Sequence, residues 1–349
     1  NTALTFLHSS STQLTSLDVS NNTALTYISC ENNQLTSLDV SSNTALTELN
    51  AGWNQLTSLD VSANTALTSI HIGGGSQSQI TTLDISNNTA LTSLNTQDIL
   101  TLTSLDVSAN TALIYLMVNN CALTSLDVSA NTALTELSCQ NNNLTSLDVS
   151  ANTALIELNC HINSLTSLDV SNNTSLTYLA CYSNDITSLD VSNIAGLLHL
   201  KANSNELSSL DISNNPNLIA VNCSWNNLTN LDVSNNPLLT EIECGGDDNQ
   251  QFASLDVSNN TLLYKLYCAN LGLTSLDVSA NTNLHKLETQ ENSLTTLDIS
   301  NNTLLENIEV QENSLTTLDV TNNTALRGLY IAENNLTSLD LSNNTLLER

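Results

Sequence analysis

The sequence predicts an all-β-like parallel solenoid of about sixteen coils, with little helix and weak curvature. Three observations carry this. The segment L-T-S-L-D-V-S-x-N-T recurs in close variants along all 349 residues, with central aspartates running from Asp18, Asp39 and Asp60 to Asp319 and Asp340. Successive aspartates lie 21 residues apart, except for one step of 22 and two of 24. Each period also divides into two similar halves. A fixed period of this size means one coil per repeat, each burying its apolar side chains against its neighbours.

The coil that starts at Leu25 shows the elements in order. Leu25, Ile28 and Cys30 are apolar, and Asn33 follows. Leu35, Leu38 and Val40 are apolar next, and Asn43 follows. The alternation Leu38-x-Val40 has the period of a short strand with one buried face. Asn and Thr then mark a turn. The expectation is two short parallel strands per coil, one on each side of a flat core. A single coil buries too little apolar surface to offset its ordering entropy, so stacking is what makes it fold.

Both halves read L-x-x-L-x-[LVC]-x-x-N, which resembles the leucine-rich repeat. The match covers the whole chain and looks like the short nested 21-residue repeats of bacterial secreted and surface proteins. Three consequences follow from the resemblance. The asparagines, such as Asn22, Asn43, Asn323 and Asn344, are expected to bond buried turn backbone, with Ile194 the one exception in that ladder. The L-D-[LV]-S-x-N aspartates are expected to be structural rather than metal ligands. The near-equal halves, without a helical segment, argue against a deep horseshoe.

Composition narrows the function. A repeat array grows without the usual limit on domain size, so residues 1–349 read as one solenoid. Both ends fall inside a repeat and lack a polar cap, which reads as a fragment of a longer chain. There are 34 acidic residues against 5 basic ones, for a net charge of −29. Nucleic acid is disfavoured, because phosphate binding needs Lys and Arg. No 18-residue apolar run is present, so membrane insertion is not expected. Catalytic signatures such as H-E-x-x-H, a phosphate loop or G-x-S-x-G are absent. No enzyme, cofactor or metal is therefore expected. Calcium wants six to eight oxygens, which one Asp per coil supplies poorly.

Eight cysteines are present. Cys30, Cys139, Cys160, Cys181, Cys223, Cys244 and Cys268 share one inward position, and Cys121 takes an Asn ladder position. In-register side chains about 4.8 Å apart do not converge as a disulfide requires. The reading is buried free thiols acting as small hydrophobes.

The two halves differ outside. One is nearly constant, with Ser37, Asp39 and Ser41 facing outward in its pattern. The other holds every Tyr, Trp, His, Lys and Arg. Aromatics mixed with charges are what recognition surfaces use. The candidate ligand-binding residues on this variable face are Tyr27, Glu48, Trp53, His71, Tyr115, Glu136, Glu157, His161, Tyr178, Tyr182, Trp225, Lys265 and Tyr267. Extra residues at 73–79 and 245–251 follow variable strands and should project from one edge of the face. The expected function is a non-catalytic recognition or adhesion module for a protein or glycan, secreted or on a bacterial surface. The alternatives are a structural spacer or lattice subunit with lateral or end-to-end self-association, and ice or mineral binding by the regular Thr/Ser/Asp face.

Overall fold

The computed structural model describes residues 1–348 apart from Ser76 and Asp248. Arg349 and one residue in each long loop thus lie outside the described residues. The chain forms two compact units, Asn1–Ser175 and Leu176–Arg349. Both have the predicted design: parallel β coils and, among the described residues, no helix. None of their elements is a helix long and apolar enough to cross a membrane.

The first unit carries β1 (Phe6–His8), β2 (Tyr27–Ser29), β3 (Glu48–Asn50), β4 (Ser69–His71), β5 (Ser93–Asn95), β6 (Tyr115–Met117), β7 (Glu136–Ser138) and β8 (Glu157–Asn159). The second carries β9 (Tyr178–Ala180), β10 (His199–Lys201), β11 (Ala220–Asn222), β12 (Glu241–Glu243), β13 (Lys265–Tyr267), β14 (Lys286–Glu288), β15 (Asn307–Glu309) and β16 (Gly328–Tyr330). Within each unit, consecutive strands pair in parallel and without slippage. Tyr27 lies beside Glu48 and Glu48 beside Ser69; Ala220 lies beside Glu241 and Glu241 beside Lys265. The long steps do not disturb this register, because their extra residues fall outside the strands.

One expectation is corrected. Each coil has one strand, in the variable half, rather than two. The six apolar positions of the Leu25 coil are buried as anticipated, from Leu25 to Val40. The constant half nevertheless spends its backbone donors differently. Ser41 N–H donates to the Asp39 carboxylate at 2.9 Å, in a local Asx turn. Asn43 N–H then donates to Val40 C=O at 2.9 Å, and Leu46 N–H to Asn43 C=O at 3.0 Å. These local bonds bend the chain before a ladder can extend. Between the Thr-Ser-Leu segments of this half, inter-coil backbone bonds are long where the described residues show them, as for Thr57 N–H to Thr36 C=O at 3.3 Å, although the entry to the half is tied closely, Gln55 N–H to Leu35 C=O at 2.9 Å. In the variable half they are short: Cys30 N–H reaches Asn50 C=O at 2.8 Å.

Two asparagine ladders tie the coils, and they are not equivalent. In the constant half, Asn131 Nδ2 donates to Val107 C=O at 3.0 Å and Asn110 C=O at 2.9 Å. Its Oδ1 has no partner in the protein. In the variable half, Asn142 Nδ2 donates to Val118 C=O at 2.8 Å and Cys139 C=O at 3.0 Å. Its Oδ1 also accepts the Leu123 N–H, at 3.1 Å. In the second long loop Gln250 takes over this role. Its Oε1 accepts the Asn226 N–H at 2.7 Å, and its Nε2 donates to Cys244 C=O.

All eight cysteines are buried, and none is in a disulfide. Burial pushes the Cys139, Cys181, Cys223 and Cys268 thiols up to about 12. Cys121 stands in for an Asn and donates to Thr96 C=O at 3.3 Å.

Candidate functional site: the strand face

The middle residue of each strand points into the core, as Leu49, Leu137 and Val221 do. Its two flanking residues therefore point outward, since side chains alternate along a strand. The parallel register lines these up as two columns per unit. In the first unit the leading column runs Phe6, Tyr27, Glu48, Ser69, Ser93, Tyr115, Glu136, Glu157. In the second, the leading column includes Tyr178, His199, Ala220, Glu241, Lys265 and Lys286.

Register decides which candidate residues meet. Phe6 stacks on Tyr27, ring centroids 4.3 Å apart. Tyr115 lies beside Glu136, and Glu136 beside Glu157. Burial, and then the Glu157 charge, hold the Glu136 carboxyl above its usual range. His71 is held below the usual imidazole range by burial, which outweighs the opposing pull of Glu31. In the second unit Tyr178 meets His199 at 6.0 Å, and Lys201 Nζ sits 5.6 Å over the Tyr178 ring. Lys265 Nζ binds Glu243 Oε1 at 2.5 Å. Burial alone would lower the Lys265 pKa, but the bond and charge of Glu243 raise it overall. Tyr267 lies between Glu243 and Glu288 in register.

Trp53, His161, Tyr182 and Trp225 are not on strands. They occupy the turn that follows, at the edge of the face. Trp53 and Trp225 stand at a position with positive φ, 55° and 57°, which other coils fill with Asn, Ser, Glu or Ile, as at Asn32, Ser183, Glu291 and Ile162. Asn tolerates this left-handed conformation, whereas a bulky side chain there is strained. Both indoles are still 51% exposed, so core packing does not explain their choice. Each also precedes a long loop. Trp53 N–H bonds Gly73 C=O at 3.0 Å, and Trp225 N–H bonds Gly245 C=O at 3.0 Å. A Cβ at Gly74 would collide with the Trp53 indole, so this glycine permits the loop to close on the ring.

The candidate residues do not converge on one catalytic point. Among the described residues, no group of three or more His, Cys, Asp or Glu is placed to hold a metal. Sequence reasoning overlooked β11, whose small outward residues Ala220 and Asn222 leave a hollow of about 340 Å³ between His199/Lys201 and Glu241/Glu243. The signal was a short side chain in register between long charged ones.

The constant half is uniform. Ser20 donates both N–H, at 3.0 Å, and Oγ, at 2.7 Å, to Asp18. The serine hydroxyl first, then its amide, lower the Asp18 pKa. The same Asp-x-Ser/Thr arrangement recurs through Asp319, where Thr321 supplies both donors.

No protein-family model matches the chain, and no curated protein matches it. Solved structures do. The functional domain of InlJ from Listeria monocytogenes, described as including a cysteine ladder, is 36% identical over 93% of this chain and 71% of that one, with a TM-score of 0.85. The leucine-rich-repeat protein LIC12759 of Leptospira interrogans is 21% identical over 91% of this chain and 81% of its own, with a TM-score of 0.71. The plant peptide hormone receptor RGFR1, solved in complex with RGF2, shares the fold at 16% identity, 94% and 77% coverage and a TM-score of 0.52. A repeat with one strand, an asparagine ladder and an inward cysteine position, together with this likeness, places the chain in the leucine-rich-repeat family.

Proposed function

We propose that this chain is a non-catalytic recognition module that binds a protein or peptide through the strand face, in a secreted or cell-surface setting. One observation carries the reading. Every Tyr, Trp, His, Lys and Arg falls in the strand half of each coil, while the Leu-Thr-Ser-Leu-Asp-Val-Ser stretch of the other half is nearly constant. Drift on two solvated faces would vary both. The peptide receptor shows that this fold can present a peptide-binding surface.

Charge constrains the partner. Residues 1–175 contain 13 acidic side chains and no Lys or Arg. A partner facing that unit must be neutral or basic, since like charges brought together cost binding energy. The reading is tested with peptides selected from a random display library on the whole chain. Tyr115→Ser with Tyr178→Ser should weaken them at least about tenfold, the scale of a lost aromatic hot spot. Ser125→Ala with Ser167→Ala should leave them unchanged. Loss only in the serine pair would move recognition to the constant half.

A further inference from the structure

The hollow over β11 notches the strand face of the second unit. Its floor is short because Ala220 and Asn222 lie in register between His199/Lys201 on β10 and Glu241/Glu243 on β12. The walls stand two strand steps apart, about 9.6 Å at normal strand spacing. That width and the volume of about 340 Å³ fit one long side chain.

The wall charges are not equally free. Lys201 lines the hollow, and its Nζ sits 5.6 Å over the Tyr178 ring on the β9 side. Glu243 is committed: Lys265 binds one oxygen at 2.5 Å and Asn222 Nδ2 binds the other at 2.5 Å. The Glu241 carboxylate is exposed and makes no hydrogen bond or ion pair among the described residues, with Lys265 beside it in register and within reach of its charge. The hollow thus offers one exposed carboxylate without a hydrogen bond of its own beside a second, already neutralised one. A second hollow of about 410 Å³ adjoins it, sharing Asn222 and Glu243 and lined by Trp225 and Tyr267.

We infer that the notch over Ala220 accepts an arginine side chain of the protein or peptide partner, with Glu241 as its carboxylate. The inference rests on the reading of the strand face as a recognition surface. A guanidinium pairs with a carboxylate through two parallel N–H···O bonds, and this planar group on its aliphatic stem fits a narrow slot. The field of a chain with net charge −29 draws such a cation in. Trp225 and Tyr267 then cover the neighbouring residues of the partner, the usual company of an arginine anchor.

The test uses the whole chain and three probes: acetyl-Gly-Arg-Gly-amide, its citrulline analogue and its glutamate analogue. Binding is read by NMR shifts of the Ala220 and Glu241 amides. The arginine peptide should saturate these shifts, and the citrulline and glutamate peptides should bind at least about tenfold more weakly. Glu241→Gln should weaken the arginine peptide to a similar degree. Ala220→Leu, an outward substitution that fills the notch, should abolish binding without changing the melting temperature. Asp127→Asn, in the other unit, should have no effect. Equal binding of the citrulline peptide, or unchanged binding in both Glu241→Gln and Ala220→Leu, overturns the inference. If the notch fails while library peptides still depend on Tyr115 and Tyr178, the recognition reading survives without it. If library peptides depend on Ser125 and Ser167, the recognition reading itself is lost.

Discussion

At the scale of single residues, the two asparagine ladders show how one residue type does two jobs. Removing Asn131 leaves Val107 and Asn110 carbonyls that still accept from Asn110 and Leu113 amides. Removing Asn142 strands the Leu123 N–H, whose acceptor is the Asn142 Oδ1. A buried donor without a partner costs about 1–3 kcal/mol, and a carbonyl that keeps one bond costs less. Asn142→Ala should therefore destabilise more than Asn131→Ala, as denaturant midpoints will show. Equal losses would mean that the amide oxygens do not matter. The sequence made both ladders visible by spacing, but it could not separate them, because the difference lies in where each Oδ1 points.

The thiols and carboxylates give opposite pH signatures. Cys139 ionises near 9.0 when exposed and near 12 when buried, so the unfolded chain loses protons first as pH rises. Stability is then full below about pH 9 and declines between 9 and 12. Melting temperatures should fall from pH 8 to 10.5, and Cys139→Ala should fall less steeply over that range. A flat profile in the parent chain would contradict burial of the thiols. Asp18 is depressed below 3.8, so its contribution is present above pH 3.8 and lost as pH falls through the folded value. Ser20→Ala should return the Asp18 carboxyl toward 3.8 in an NMR titration.

At the scale of elements, the constant half was expected to form a second strand, and local side-chain bonding prevented it. Its period of two was legible in Leu38-x-Val40. The competing Asp39–Ser41 turn left only a repeated Asp-x-Ser spacing in the sequence. The structure implies unequal exchange. The Ser129 amide bonds an exposed carboxylate, whereas the Cys139 amide bonds a backbone carbonyl of the next coil at 2.8 Å. Buried ladder amides open only with larger unfolding, so Cys139 should exchange far more slowly than Ser129. Similar rates would indicate a true strand in the constant half. The alternation was legible in the sequence, since β3 and β12 present the outward pairs that it demands. The β11 notch was not, because an alanine carries no chemical signal until its neighbours in register are known.

At the scale of the whole molecule, charge is the dominant property. With 34 acidic and 5 basic residues, added salt should raise the melting temperature by screening repulsion. The Asp-x-Ser bonds already satisfy the repeated carboxylates, so sodium and calcium at matched ionic strength should act alike. Strong stabilisation by micromolar calcium, reversed by a chelator, would instead make the Asp ladder a metal array. The central claim, that the strand half recognises and the constant half supports, is tested most directly by hydroxyl-radical footprinting of the chain with and without a selected peptide. Aromatic side chains report well in this measurement, and the account predicts protection at strand-half rings such as Tyr115, Tyr178, Trp225 or Tyr267. Protection confined to the exposed constant-half leucines Leu238, Leu262 and Leu304, with those rings unchanged, would contradict it.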